Sequence, residues 1–228
     1  MEVGLPVDRL TQSAAPHPGV GIVHLGLGAF YRAFGAVYVA EAMAASGGDW
    51  GIVGVSLKNP TTRDALAPQN WAYTSVTLAE NDESTKVIDV LENVLVAPEN
   101  PAAVLEAMAD PGVRIVSLTV TEKGYCHNPA TGALTVDHPD IAHDLQQEMP
   151  RSAPGFLVRA LARRRAAGVP PFTVLSCDNL PENGALVRQI VLDFAHLIDP
   201  TLAQWIGENG RFPATMVDRI TPATTPAD

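Results

Sequence analysis

A chain of 228 residues with 46% apolar and 18% charged side chains can bury a substantial core and has globular rather than disordered composition. The net charge of −10 excludes non-specific nucleic-acid binding, which needs a basic surface, but leaves room for a small anion held by backbone N–H groups and single cations. The opening MEVGLPVDRL has no apolar leader core, and no run reaches the ~18 apolar residues of a membrane span, so the expectation is a soluble, cytoplasmic protein without a membrane partner.

Residues 1–20, with Pro6, Pro16, Pro18 and Gly19, read as an arm leading into one domain over 21–228. Gly21–Leu25 (GIVHL) predicts a buried strand that ends in a tight turn at Gly26-Leu27-Gly28. A single alanine-rich helix is expected from about Phe30 to Ala45, stopped by Ser46-Gly47-Gly48. Ile52–Leu57 is a second strand and completes a βαβ unit. Asn59–Asn70 reads as a loop or short helix, and Tyr73–Leu78 and Lys86–Val96 as period-two strands forming a hairpin or edge pair.

Pro101–Ala109 begins with proline in a first helical turn, and Arg114–Thr121 is dense in β-branched residues, the mark of a central strand. After a loop at Gly124–Pro139 come helices at Pro139–Gln147 and Pro154–Ala167, a strand at Phe172–Ser176, a helix at Gly184–Ile198 and a short one at Leu202–Gly207. This alternation predicts a doubly wound α/β fold, a mostly parallel sheet with helices on both faces.

In such a sheet the carboxyl ends of the strands line a ligand crevice, so the residues just after each strand are the candidates. Gly26 and Gly28 between strand and helix suit either a pyrophosphate turn or a purely structural one; Tyr31 stands where a third glycine would complete G-x-G-x-x-G. Arg32 is either a phosphate partner or a solvated first-turn arginine. After the second strand the chain offers Lys58-Asn59 instead of the carboxylate that commonly holds a ribose 2′-OH, so a 2′-phosphate is tolerable and NADP stays open beside NAD. Glu122 and Lys123 follow the strongest strand, as a cofactor or substrate contact or as a surface ion pair. Asp178-Asn179 before Pro181 reads as an Asx turn capping the next helix. The histidines and the two cysteines, Cys126 and Cys177, fall into no metal-ligand spacing, and neither G-x-S-x-G nor a Walker sequence occurs.

Four motifs resemble the long-chain mannitol dehydrogenase family, which includes the fructuronate and tagaturonate reductases. IVHLGLGAFYRA, Ile22–Ala33, is similar to its nucleotide fingerprint, with Tyr31 and Phe34 in place of two histidines. TVTEKGYC, Thr119–Cys126, resembles the uronate-reducing branch, because mannitol dehydrogenases tend to have glycine at Lys123. SCDNLPENG, Ser176–Gly184, and MVDRITP, Met216–Pro222, are the other two, although Gly210 stands where an apolar residue is usual.

The resemblance implies a Rossmann-like domain and NAD held by Ile22, Gly26, Gly28, Ala29, Phe30, Arg32, Lys58, Glu122 and Lys123. It implies that Asn179 donates its amide to the reacting carbonyl oxygen and that Asp218 orients groups or relays protons at the active site. The implied reaction is hydride exchange at a secondary carbinol of a linear sugar acid or polyol, with fructuronate and mannonate nearest. In the family a helical C-terminal domain supplies a general-base lysine in K-x-x-x-x-N-x-x-H. That pattern is absent from these residues, so the expectation is the cofactor half of an oxidoreductase, nearly inactive alone and partnered by the missing domain or by itself; one alternative is a catalytically inactive nucleotide-binding fragment, the other a mannitol 2-dehydrogenase or tagaturonate reductase.

Overall fold

The computed structural model describes residues 10–13, 17–79 and 82–222. Most of the expected N-terminal arm therefore lies outside the described residues.

Five strands form one sheet: β1 (Val20–Leu25), β2 (Gly51–Ser56), β5 (Leu91–Val96), β6 (Ile115–Leu118) and β7 (Thr173–Ser176). Their order is β5-β2-β1-β6-β7, and every pairing is parallel. The chain leaves β1 towards β2 and returns past it to β6, so the strand order reverses between β1 and β6. That reversal opens a crevice at the carboxyl edge.

Strand alternation builds two cores. Val23 and Leu25 of β1 with Val53 and Val55 of β2 pack against α4 (Pro101–Ala109), α7 (Ala153–Ala166) and α8 (Asn183–Ile198), through residues such as Leu105, Phe156, Leu161 and Phe194. Ile22 and Ile52 point the other way, towards Tyr31 of α1 (Ala29–Ala33) and Ala36 of α2 (Gly35–Ser46). Helices thus cover both faces, and the doubly wound Rossmann-like arrangement is the observed one.

Local sequence explains several of the helix starts. Asn100 caps α4 by accepting Ala103 N–H at 3.0 Å, with Pro101 in the first turn, and Ser152 accepts Gly155 N–H at 3.0 Å to cap α7. The Ser152 hydroxyl also donates to Asp144 of α6 (Pro139–Gln146) at 2.6 Å, so a buried carboxylate organises the turn between the two helices.

Three expectations are corrected. The single helix over 30–45 is two, α1 and α2, broken at Phe34, because the Tyr31 ring lies over Gly35 so closely that a Cβ there would sit 2.4 Å from it. Lys86–Val96 is not one strand: β4 (Asp82–Ile88) pairs antiparallel with β3 (Tyr73–Ala79) in a separate hairpin, and β5 joins the main sheet. Arg114–Thr121 keeps strand geometry only to Leu118, since Thr121 has φ of 64° and opens α5 (Thr121–Gly124). The Asn59–Asn70 segment holds α3 (Thr61–Leu66) and a 3-10 turn at Ala67–Gln69, and the last helix, α9, runs over Pro200–Asn209, longer than expected. Among the described residues no helix is long and apolar enough to cross a membrane.

Candidate active site

The parallel register brings Gly26–Gly28, Lys58-Asn59, Thr119–Lys123 and Cys177–Asn179 to one edge of the sheet, as the segments following β1, β2, β6 and β7. Gly26 has φ of 90°, and a Cβ on it would lie 2.2 Å from the Thr119 carbonyl oxygen, so only glycine lets β1 turn this close to β6. Gly26 N–H and Leu27 N–H both donate to Val55 O, at 2.9 and 3.1 Å, which ties the turn to β2. Gly28 differs: it is exposed, its φ is −93°, and a Cβ there would meet nothing nearer than Gly26 O at 3.8 Å. The fold does not need glycine at 28, whereas a ligand resting on the turn would.

Ala29 and Phe30 begin α1, where N–H groups have no acceptor inside the helix. Arg32 is half-buried rather than a solvated first-turn arginine; its Nη1 donates to Leu27 O at 3.3 Å, and its carbonyl accepts the Tyr73 hydroxyl at 2.7 Å. That contact braces α1 with the β3–β4 hairpin and leaves most of the five guanidinium donors for other acceptors. Ile22 is 5% exposed inside the core of β1, so it supports the turn from below.

Lys58, Glu122 and Lys123 are exposed. The loop carrying Glu122 and Lys123 is fixed by Asp178: its carboxylate accepts Val120 N–H at 3.0 Å, Thr121 N–H at 2.9 Å and the Tyr125 hydroxyl at 2.7 Å. The expected Asx cap is therefore overturned. Asp178 faces β6, and the N-cap of α8 is Glu182, which makes no side-chain cap bond. Burial beside Asp178 pushes the Tyr125 hydroxyl far above the ordinary tyrosine range, so it stays a donor.

Asn179 is exposed at the end of β7, and Asn183, four residues on, is buried. The Asn183 amide bonds Asp178 O and both the backbone and side chain of Thr215, while Thr215 Oγ1 donates to Ser176 O at 2.7 Å. A Cβ at Gly184 would lie 2.6 Å from Phe212 O, so the Asn-Gly pair lets the C-terminal segment lie against α8. This places Thr215–Arg219 opposite Phe30, Phe34 and Tyr38 around a cleft of about 240 Å³ that also contains Cys177. Asp218 lines the cleft; it and Arg219 are exposed and 3.9 Å apart, not the buried structural pair that adjacency suggests. Asn179 is not in that lining. Glu122 lines a separate cavity of about 380 Å³ with His127, Leu180 and Glu182.

Sequence reasoning missed Asn183, Thr215, Tyr125 and His24, and it read Asp178 as a helix cap rather than as the clamp on Val120 and Thr121. The Asn-Gly end of SCDNLPENG was the one signal for Asn183. His24 carried none: it sits in an apolar strand, fully buried, stacked on Tyr31 with 3.3 Å between ring centroids. Among the described residues no group of three or more His, Cys, Asp or Glu side chains could hold a metal ion.

A parallel sheet whose order reverses beside a glycine turn, with a helix start and an arginine at that turn, defines the nucleotide-binding class of α/β domains. Residues 20–228 match the mannitol dehydrogenase Rossmann domain, and the chain belongs to that family. It is 49% identical to the uncharacterized oxidoreductase YeiQ of Escherichia coli (strain K12) over 207 residues, 90% of this chain and 42% of that protein. It is 47% identical to a mannitol 2-dehydrogenase of Aspergillus terreus, covering 91% of this chain and 43% of that protein. The solved ternary complex of Pseudomonas fluorescens mannitol 2-dehydrogenase with NAD and D-mannitol superposes with a TM-score of 0.90 at 41% identity, over 97% of this chain and 46% of that one. The chain thus spans less than half the length of these relatives.

Proposed function

We propose that this domain binds NAD in the crevice above Gly26–Gly28 and serves an oxidoreductase that interconverts a linear sugar acid or polyol and its keto form. The open, exposed Gly28 carries the reading: the fold leaves room there for a side chain, and a pyrophosphate would use that room. When bound, the cofactor would supply the hydride for ketone reduction as NADH and take it up as NAD in the reverse direction. In this reading Ala29 and Phe30 N–H groups and the Arg32 guanidinium hold the pyrophosphate, Lys58 lies by the adenosine ribose, and Glu122 and Lys123 frame the nicotinamide side. Asn179 donates its amide to the carbonyl oxygen, which becomes an alkoxide as the ketone is reduced; a fixed donor is worth most at that moment. Asp218 orients the substrate hydroxyls from the cleft.

For the substrate, TVTEKGYC with Lys123 favours a sugar acid such as fructuronate or mannonate, because an ammonium at that place complements a carboxylate. A neutral polyol is the second reading, favoured by the mannitol 2-dehydrogenases and the D-sorbitol dehydrogenase among the similar proteins. Fluorescence titration with NADH tests the cofactor claim: saturable binding that Gly28→Val weakens supports it, and no binding by the parent chain defeats it. Assays of a form extended to the relatives' length, with D-mannonate, D-mannitol and D-sorbitol, decide the substrate. The 228-residue chain should turn over far below the roughly 10 per second usual for enzymes, because the lysine pattern K-x-x-x-x-N-x-x-H is not among its residues.

A further inference from the structure

We infer that a directed hydrogen-bond relay, Ser117 to His24 to Thr119 to Gly26, presets the cofactor turn, with His24 as its positioning residue in the neutral Nε2–H form. The inference rests on the dinucleotide reading above and adds what holds the turn in place.

The direction of each bond follows from counting protons. Gly26 O can only accept, and Thr119 Oγ1 lies 2.7 Å from it, so the single hydroxyl proton of Thr119 is committed there. Thr119 Oγ1 also lies 2.9 Å from His24 Nε2; with its proton spent it accepts, and Nε2 carries the hydrogen. A neutral imidazole has one N–H, so Nδ1 is bare and accepts the Ser117 hydroxyl at 2.8 Å. The Ser117 hydroxyl is therefore the first donor of the relay. Complete burial keeps the ring neutral at physiological pH by lowering its pKa to about 3.

The relay ends on the one carbonyl that governs the turn. Gly26 O accepts Thr119 and also Gly28 N–H at 2.6 Å, so the peptide leading into the exposed Gly28-Ala29 step is held from two sides. Beside the relay, Tyr31, which occupies the place of the absent third glycine, stacks on the His24 ring and fits because residue 35 is glycine.

Long-range ¹⁵N–¹H correlation of the labelled chain reads the His24 tautomer, and NADH titration of the parent, Thr119→Val and Thr119→Ser reads the turn. The expected results are an Nε2–H ring, an affinity about tenfold weaker for Thr119→Val, and recovery to within about threefold for Thr119→Ser, in keeping with loss and return of one or two buried hydrogen bonds. A charged or Nδ1–H His24 overturns the relay, and so does full affinity in a Thr119→Val chain whose circular dichroism shows it folded. If Thr119→Val does not fold, Ser117→Ala takes its place, with about threefold weakening expected and full affinity again overturning the relay. A parent chain that binds no NADH defeats the dinucleotide reading instead, and the tautomer alone then decides the relay.

Discussion

The Asn183 side chain clasps Thr215 from both sides of its amide: Nδ2 donates to Thr215 O at 3.1 Å and to Oγ1 at 2.9 Å, and Oδ1 accepts Thr215 N–H at 3.0 Å. One buried amide on α8 thereby fixes the segment that carries Asp218 against the end of β7, where Asn179 stands.

Replacing Asn183 by alanine should release that segment. Two partly buried backbone groups of Thr215 and the Asp178 carbonyl lose their partner, so a destabilisation of about 1–2 kcal/mol is expected, with faster hydrogen exchange over residues 211–222. Urea unfolding and exchange mass spectrometry measure these. An unchanged midpoint with unchanged exchange would show that Phe212 and Thr215 hold the segment without the amide.

The two glycines of the turn should respond oppositely. Gly26→Ala places a methyl group 2.2 Å from Thr119 O at a φ of 90°, and should cost stability by roughly 1–3 kcal/mol or prevent folding. Gly28→Ala has space within the chain and should leave the thermal midpoint almost unmoved while weakening NADH. Equal NADH affinity in Gly28→Ala and the parent would remove the reason for placing the pyrophosphate there.

Stability should depend on pH through His24. Its folded pKa, about 3, lies below the unfolded value of 6.5, so between those limits the unfolded chain binds a proton that the folded chain refuses. Stability is therefore lost as pH falls through this window, by about 1.4 kcal/mol per pH unit from this one group. Urea titrations at several pH values on the parent and His24→Gln check it: the difference between the two should shrink on acidification. A constant difference would mean that His24 titrates alike in both states.

The choice between NAD and NADP should move with Lys58. The ammonium at the end of β2 tolerates a 2′-phosphate, and Lys58→Glu sets a carboxylate against it. The ratio of NADPH to NADH affinity should fall at least about tenfold, the scale of one charge-assisted bond turned to repulsion. Competition titration measures the ratio; no change would place the ribose elsewhere.

Association is expected as well. Met216, which lines the aromatic cleft, and Ile220 are 90% and 86% exposed, and large apolar side chains so exposed promote self-contact. Light scattering over a concentration series should show growth in mass, and Met216→Lys with Ile220→Lys should suppress it. A strictly monomeric parent at all concentrations would refute this.

Much of the fold was legible because its central strands are short runs of buried β-branched residues bounded by glycine or proline. Val23, Leu25, Val53 and Val116 announce their sheet without help from elsewhere. The division between β4 and β5 was not legible, since Asp89-Val90 carries no breaking residue although the chain changes sheets there. The split at Phe34 was hidden for a different reason: it depends on where the Tyr31 ring lies. The position of the glycine turn could be read from spacing, but the Asp178 clamp joins residues 57 and 58 positions apart, and the relay spans 93. Such pairings leave no local periodicity.

The central position of β1 has a consequence for synthesis of the chain. Among the described residues β1 is the first strand made, β2 follows some thirty residues later, and the other flank waits for β6, whose Ser117 lies 93 residues beyond His24. At 5–20 residues per second, that flank is bare for roughly 5–20 s of translation. Throughout that interval the unpaired backbone edge of Ile22-Val23-His24-Leu25 is open to pairing with a neighbouring nascent chain, a hazard that closes only when β6 arrives.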